Sequence, residues 1–88
     1  MQVSLEEVRQ IFNSLINGEI DREHASEWAL TRLFANDEND LEYEPKCEKE
    51  RIWKGIVYLT GVDLLNGKEG DYFHCLEDFI NYKNELGI

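Results

Sequence analysis

The stretch Arg51 to Leu65, RIWKGIVYLTGVDLL, holds the densest apolar run of the chain and decides how the rest is read. Ile52, Ile56 and Leu59 recur at helical spacing, and so do Trp53, Val57 and Thr60. Two adjacent stripes make a wider apolar face than a one-sided surface helix needs, so the segment is expected to be a central helix touched from two sides. Gly55 lies inside it, where glycine costs about 1 kcal/mol against alanine. A neighbouring helix passing close by is a reason to accept that cost. Gly61 ends the regular periodicity.

Outward from this segment, the same logic finds three more helices. Ser4 and Glu7 form a capping box ahead of Leu5, Val8, Phe12 and Leu15, because each side chain can satisfy the other residue's backbone N–H. Ile11 and Ile16 widen that face, and Gly18 suits the left-handed residue that closes a helix. The first helix is therefore read over Ser4 to Asn17. Asp21 is a good N-cap for a second helix reaching about Ala35, with Ala25, Trp28, Ala29, Leu33 and Phe34 on its inner face. Asn36 to Glu44, NDENDLEYE, lacks helical periodicity and reads as a linker. Pro45 fits the first position of the third helix, over Pro45 to Thr60 and extendable to Leu65. Leu76, Phe79, Ile80 and Leu86 mark the last helix, with Gly87 as its closing residue. Between helices 3 and 4, Asn66-Gly67 is a turn across which a short hairpin can be drawn, pairing Val62–Leu65 with Tyr72–Cys75. The expected fold class is all-α: a four-helix antiparallel bundle in a single domain spanning residues 1–88.

Composition narrows the chemistry. With 88 residues the chain can bury one modest core and has little left for a deep cleft. Nineteen acidic against nine basic side chains give a net charge of −10. A charge of that size argues against nucleic acid or an anionic membrane as a partner, because phosphates would repel it. It suits a basic protein partner instead. No apolar run reaches membrane-spanning length, and Met1 to Glu19 lacks the basic start and apolar core of a signal peptide. Cys47 and Cys75 form no C-x-x-C motif and read as reduced thiols of a cytoplasmic protein.

The usual chemical constellations fail on their spacing. Asp37 and Asn39 match the start of a calcium loop, but Leu41 stands at the next ligand position and Glu42 where glycine is required. Cys47, Cys75, His24 and His74 have no zinc-finger spacing. Neighbours such as His74 and Cys75 point in different directions, so adjacency makes no catalytic dyad. Glu77 and Asp78 are a carboxylate pair in a chain full of carboxylates; a hydrolase using them with His74 ranks last. No catalytic residue, metal site or cofactor is expected. One segment is distinctive. From Asp37 to Glu50 there are seven acids and two lysines, and Leu41 and Tyr43 interrupt the charge. Aromatic anchors ringed by acids suit the recognition of a basic protein. The expected partner-binding residues are Asp37, Glu38, Asp40, Leu41, Glu42, Tyr43 and Glu44.

Three stretches carry a resemblance: LINGEIDREHASEWA at Leu15–Ala29, IWKGIVYLTGVDL at Ile52–Leu64, and GDYFHCLEDF at Gly70–Phe79. In order and spacing the chain resembles small bacterial immunity proteins that accompany polymorphic toxins, including those of contact-dependent growth inhibition. The resemblance implies a cytoplasmic, mostly helical, non-catalytic protein. It would bind and block a cognate toxin domain, often a nuclease with a basic surface, and no nucleic acid or membrane. A second reading is an acidic helical adaptor or regulatory protein for some other basic partner.

Overall fold

The computed structural model describes residues 1–63, 65–68, 71–72 and 75–88, with side chains described for 1–63 and 75–88. In chain order the elements are β1 (Gln2–Ser4), α1 (Leu5–Ile16), α2 (Arg22–Asp37), β2 (Glu42–Glu44), a 3-10 turn (Lys46–Glu48), α3 (Lys49–Leu59), β3 (Leu65–Lys68), β4 (Asp71–Tyr72) and α4 (Leu76–Leu86). The protein is mostly helical.

The helix ends follow the capping chemistry of the sequence. Glu7 N–H donates to Ser4 Oγ at 3.0 Å, and Ser4 N–H donates to Glu7 Oε1 at 3.1 Å. His24 N–H donates to Asp21 Oδ1 at 2.7 Å at the start of α2. Cys75 N–H donates to Asp78 Oδ2 at 2.9 Å at the start of α4. Gly18 and Gly87 both adopt positive φ, 75° and 74°, just past α1 and at the end of α4. Pro45 precedes the 3-10 turn, so α3 begins four residues later than the proline marks.

Two strand pairs correct the all-α expectation. β1 and β2 pair in parallel, with Val3 opposite Tyr43. β3 and β4 pair antiparallel, with Leu65 opposite Tyr72 and Lys68 opposite Asp71. The second pair is the hairpin between helices 3 and 4; its Leu65–Tyr72 pairing is the one drawn on the sequence, while the strands lie nearer the turn, over Leu65–Lys68 and Asp71–Tyr72. Leu64, Phe73 and His74, which that register used, lie outside the described residues.

α3 is the middle of the packing. It touches α1, α2 and α4, and α1 also packs on α4. Its first stripe, Ile52, Ile56 and Leu59, is fully buried with Val3, Val8, Phe12 and Val62. The second stripe is not: Trp53 is half-buried and Val57 is 44 % exposed. The wide face read from the sequence is therefore narrower. α2 explains why. Its inner surface is built of Ala25, Ser26 and Ala29, small residues that let α2 lie close to α3. Phe34, expected in the core, is 58 % exposed, and Trp28 sits at the margin with the Arg32 guanidinium 4.3 Å from its ring centroid. The start of α2 also closes the end of α3. Ser26 Oγ donates to the Thr60 carbonyl at 3.1 Å, and Arg22 Nη1 donates to the Val62 carbonyl at 2.9 Å. Those bonds satisfy carbonyls of the C-cap and of the turn that follows α3.

An aromatic cluster joins α1, α3 and α4. Tyr58 and Tyr82 stack with centroids 4.0 Å apart and an 8° interplanar angle. Phe12 lies 5.9 Å from Tyr58 and 6.3 Å from Tyr82, and Phe79 meets Tyr58 edge-on at 6.4 Å. Burial pushes the Tyr58 phenol up to about 12, with Asp78, Tyr82 and Cys75 adding to the effect and Arg22 opposing it. A phenol whose folded pKa lies above the unfolded value of 10.0 keeps its proton longer in the fold. Its contribution is complete below the unfolded pKa and is lost as pH rises through the folded one. Urea midpoints should therefore fall between about pH 10 and about pH 12, and Tyr58→Phe should flatten that fall. An equal slope in the variant would assign the alkaline sensitivity to other groups.

Candidate functional site

The acidic segment is less of a loop than its composition indicates. α2 continues to Asp37, Asn39 takes a positive φ of 59°, and the Asp40 N–H donates to the Ala35 carbonyl at 2.7 Å. The chain then enters β2. Strand alternation turns Glu42 and Glu44 outward and Tyr43 inward. Asp37, Glu38, Asp40, Glu42 and Glu44 are exposed and Leu41 is half-buried. Tyr43, read as an exposed anchor, is only 6 % exposed and belongs to the core. Its phenol donates to Asn36 Oδ1 at 2.9 Å, and burial raises its pKa. The alternation D-L-E-Y-E was the available signal for β2; its partner, three residues ahead of the first helix, gave none.

Beside this edge lies a feature the sequence reading passed over. Lys46, Lys49, Arg51 and Lys54 fall within nine residues and supply four of the nine cationic side chains of the chain. Only Glu48 and Glu50 oppose them within that span. The 3-10 turn and the first turns of α3 carry all four. Arg51 Nε lies 3.3 Å from Glu48 Oε2, and Lys54 Nζ lies 3.2 Å from Glu50 Oε1. Lys46 and Lys49 have no carboxylate at ion-pair distance among the described residues, and both are exposed. Lys49 Nζ stands 5.3 Å from the Tyr43 ring centroid, a cation–π contact. Cations here also face the positive end of the α3 dipole, an arrangement that costs helix stability a few tenths of a kcal/mol. It adds to the local positive potential in return.

These side chains border two adjoining depressions. One, of about 360 Å³, is lined by Leu41, Glu42, Tyr43, Lys46 and Lys49. The next, of about 430 Å³, is lined by Asn36, Tyr43, Lys49, Glu50 and Trp53. Tyr43 and Lys49 belong to both, so the two run together as one shallow groove. Among the described residues no cluster of His, Cys, Asp and Glu is placed to hold a metal ion. Among them, too, no helix is long and apolar enough to cross a membrane.

A family model described as the YxzC DNA-binding protein matches residues 2–86. The chain belongs to the YxzC DNA-binding protein family. It is also 35 % identical, over 65 residues, to a protein of Bacillus subtilis (strain 168) named uncharacterized protein YxzC. That alignment covers 74 % of this chain and 47 % of the relative, so the chain spans about half the length of the curated relative it matches. No solved structure matches.

Family membership overturns the immunity-protein resemblance, and with it the toxin partner and the exclusion of nucleic acid. The stretches that carried that resemblance are mostly core and cap positions, which any small helical protein must provide. The adaptor reading fails on the same point, since it put a basic protein where the YxzC family description puts DNA. The charge argument failed because −10 is a sum over the whole surface. Phosphate contacts act within about 8 Å at physiological salt, so a local excess of cations can outweigh an acidic total.

Proposed function

We propose that this chain is a small, non-catalytic DNA-binding protein of the cytoplasm that meets the phosphate backbone through Lys46 and Lys49. The observation that carries the reading is the family match over residues 2–86. The exposed lysines, free of acidic partners among the described residues, support putting the phosphate contact on this face. Arg51 and Lys54 stand next to them, half-neutralised by Glu48 and Glu50. So few cations make binding weak, in the range of about 10⁻⁴ to 10⁻⁶ M typical of non-specific contacts. The acidic remainder gives this binding an uncommon salt response. At roughly 0.01 M salt the screening length is about 30 Å, comparable to the molecule, and distant carboxylates repel DNA. Near 0.1 M that repulsion is screened while the lysine contacts persist.

The test is anisotropy of labelled DNA across that salt range. Affinity should be greatest at intermediate salt and fall above it. Lys46→Gln combined with Lys49→Gln should reduce the falling slope of log K against log salt by about 2. Glu48→Gln, which releases Arg51, should strengthen binding. Equal affinity and slope in the lysine variant would remove the interface from this face. Absence of binding at any salt would remove the function.

A further inference from the structure

We propose that the groove from Leu41 to Trp53 takes single-stranded DNA, with an unpaired base stacked on Trp53 and flanking phosphates at Lys49 and Lys46. This rests on the DNA-binding reading and specifies its substrate. Three observations carry it.

Trp53 is half-buried: part of it packs on the core, and it lines the 430 Å³ depression. A ring braced in that way is a pre-ordered platform, and base–aromatic stacking is the sequence-tolerant component of single-strand binding. In an intact duplex both faces of each base are already covered by its neighbours, so Trp53 has nothing to stack on.

The charges of the groove alternate. Lys46 and Lys49 share its walls with Glu42 and Glu50, and the Glu50 side chain is 84 % exposed. Carboxylates beside a continuous line of phosphates are repulsive. A single strand offers neutral bases between its phosphates, and the exocyclic amines of adenine, cytosine and guanine can donate to Glu50. The mixture fits a ligand that alternates anionic and amine-bearing groups better than it fits a uniformly anionic rod.

Asn36 completes the base site. Its Oδ1 accepts the Tyr43 hydroxyl at 2.9 Å, which leaves the carboxamide its NH₂ to present to the depression it lines. A donor and an acceptor, Asn36 and Glu50, then line the same depression as Trp53. The cavity size is within the range of about 300–1,000 Å³ usual for small-molecule sites, which a nucleobase can enter.

The experiment uses the full chain carrying Trp28→Phe, so that Trp53 is its one tryptophan reporter. Unlabelled and end-labelled oligonucleotides of about 12 nucleotides are compared as single strands and as duplexes at equal salt. Single strands should quench Trp53 emission and bind about 5- to 150-fold more tightly than duplexes, the range that one base–aromatic stack supplies. Trp53→Phe, a smaller platform that preserves packing, should weaken single-strand binding and leave duplex binding as it was. Duplex affinity equal to or above single-strand affinity, or saturation without a change in Trp53 emission, overturns the single-strand proposal while DNA binding stands. Binding of neither form takes both away.

Discussion

Phe12→Ala is expected to lower the unfolding free energy by about 3–5 kcal/mol, the usual cost of deleting a fully buried phenylalanine. Phe12 is completely inaccessible and stands where α1, α3 and α4 meet. Its ring is the third member of the stack with Tyr58 and Tyr82, so the substitution removes both buried area and two ring contacts. The surrounding walls cannot easily close the gap. The two tyrosines already stack on each other at 4.0 Å, and the α3 backbone at Gly55 is pressed against Val8. A domain of this length has roughly 5–15 kcal/mol in total, so the variant should sit near the edge of folding at 37 °C. Urea denaturation followed by circular dichroism measures it. Phe34→Ala is the control: that ring is 58 % exposed, and its loss should stay within about 0.5 kcal/mol. If Phe12→Ala cost less than about 1 kcal/mol, the aromatic cluster would not be the joint described here.

The two phenylalanines also mark the boundary of what the sequence discloses. Phe12 is placed by period alone, because α1 has one apolar face and Ser4 and Glu7 fix where it starts. The caps at Asp21, Gly18 and Gly87 are equally legible, since each is a local backbone need met by a particular side chain or by glycine's freedom. Phe34 is misplaced because α2 has no strong apolar face. Alanines and a serine form its contact surface, and small residues carry little signal beside two large aromatics. The parallel pair of β1 and β2 is illegible for another reason. Each strand is three residues long, and only the pairing of Val3 with Tyr43, forty positions apart, distinguishes them from loops. On the functional side, counting charges over the chain concealed the one place where cations gather. A count over nine-residue windows would have found Lys46 to Lys54, and the alternation through Leu41 and Tyr43 would have put a strand edge beside it. No residue pattern by itself named DNA; that came with the family.

The second large effect is expected at Gly55. A Cβ built there would lie 2.6 Å from Val8 Cγ1, 3.6 Å from Leu86 Cδ1 and 3.7 Å from Phe12 Cε2. Alanine at this position would gain about 1 kcal/mol of helix propensity if the space were open. The space is closed, and Val8 is a poor neighbour to push. It is fully buried, and a β-branched side chain in a helix has one strongly preferred rotamer. Relief must come from separating α1 and α3, which loosens Phe12 and the α1–α4 contact as well. Overpacking of this kind costs about 1–3 kcal/mol, so Gly55→Ala should be destabilising despite its propensity, and Gly55→Leu should reach the top of that range or pass it. The double variant Val8→Ala, Gly55→Ala separates crowding from any intrinsic demand of the backbone. Removing the Val8 methyls opens the space the new Cβ needs, so the two substitutions together should cost less than the sum of each alone, with a coupling of about 0.5–3 kcal/mol. Simple additivity, or a Gly55→Ala protein more stable than the parent, would show that α1 does not bear on α3 at this point. The packing of the central helix would then need a different account.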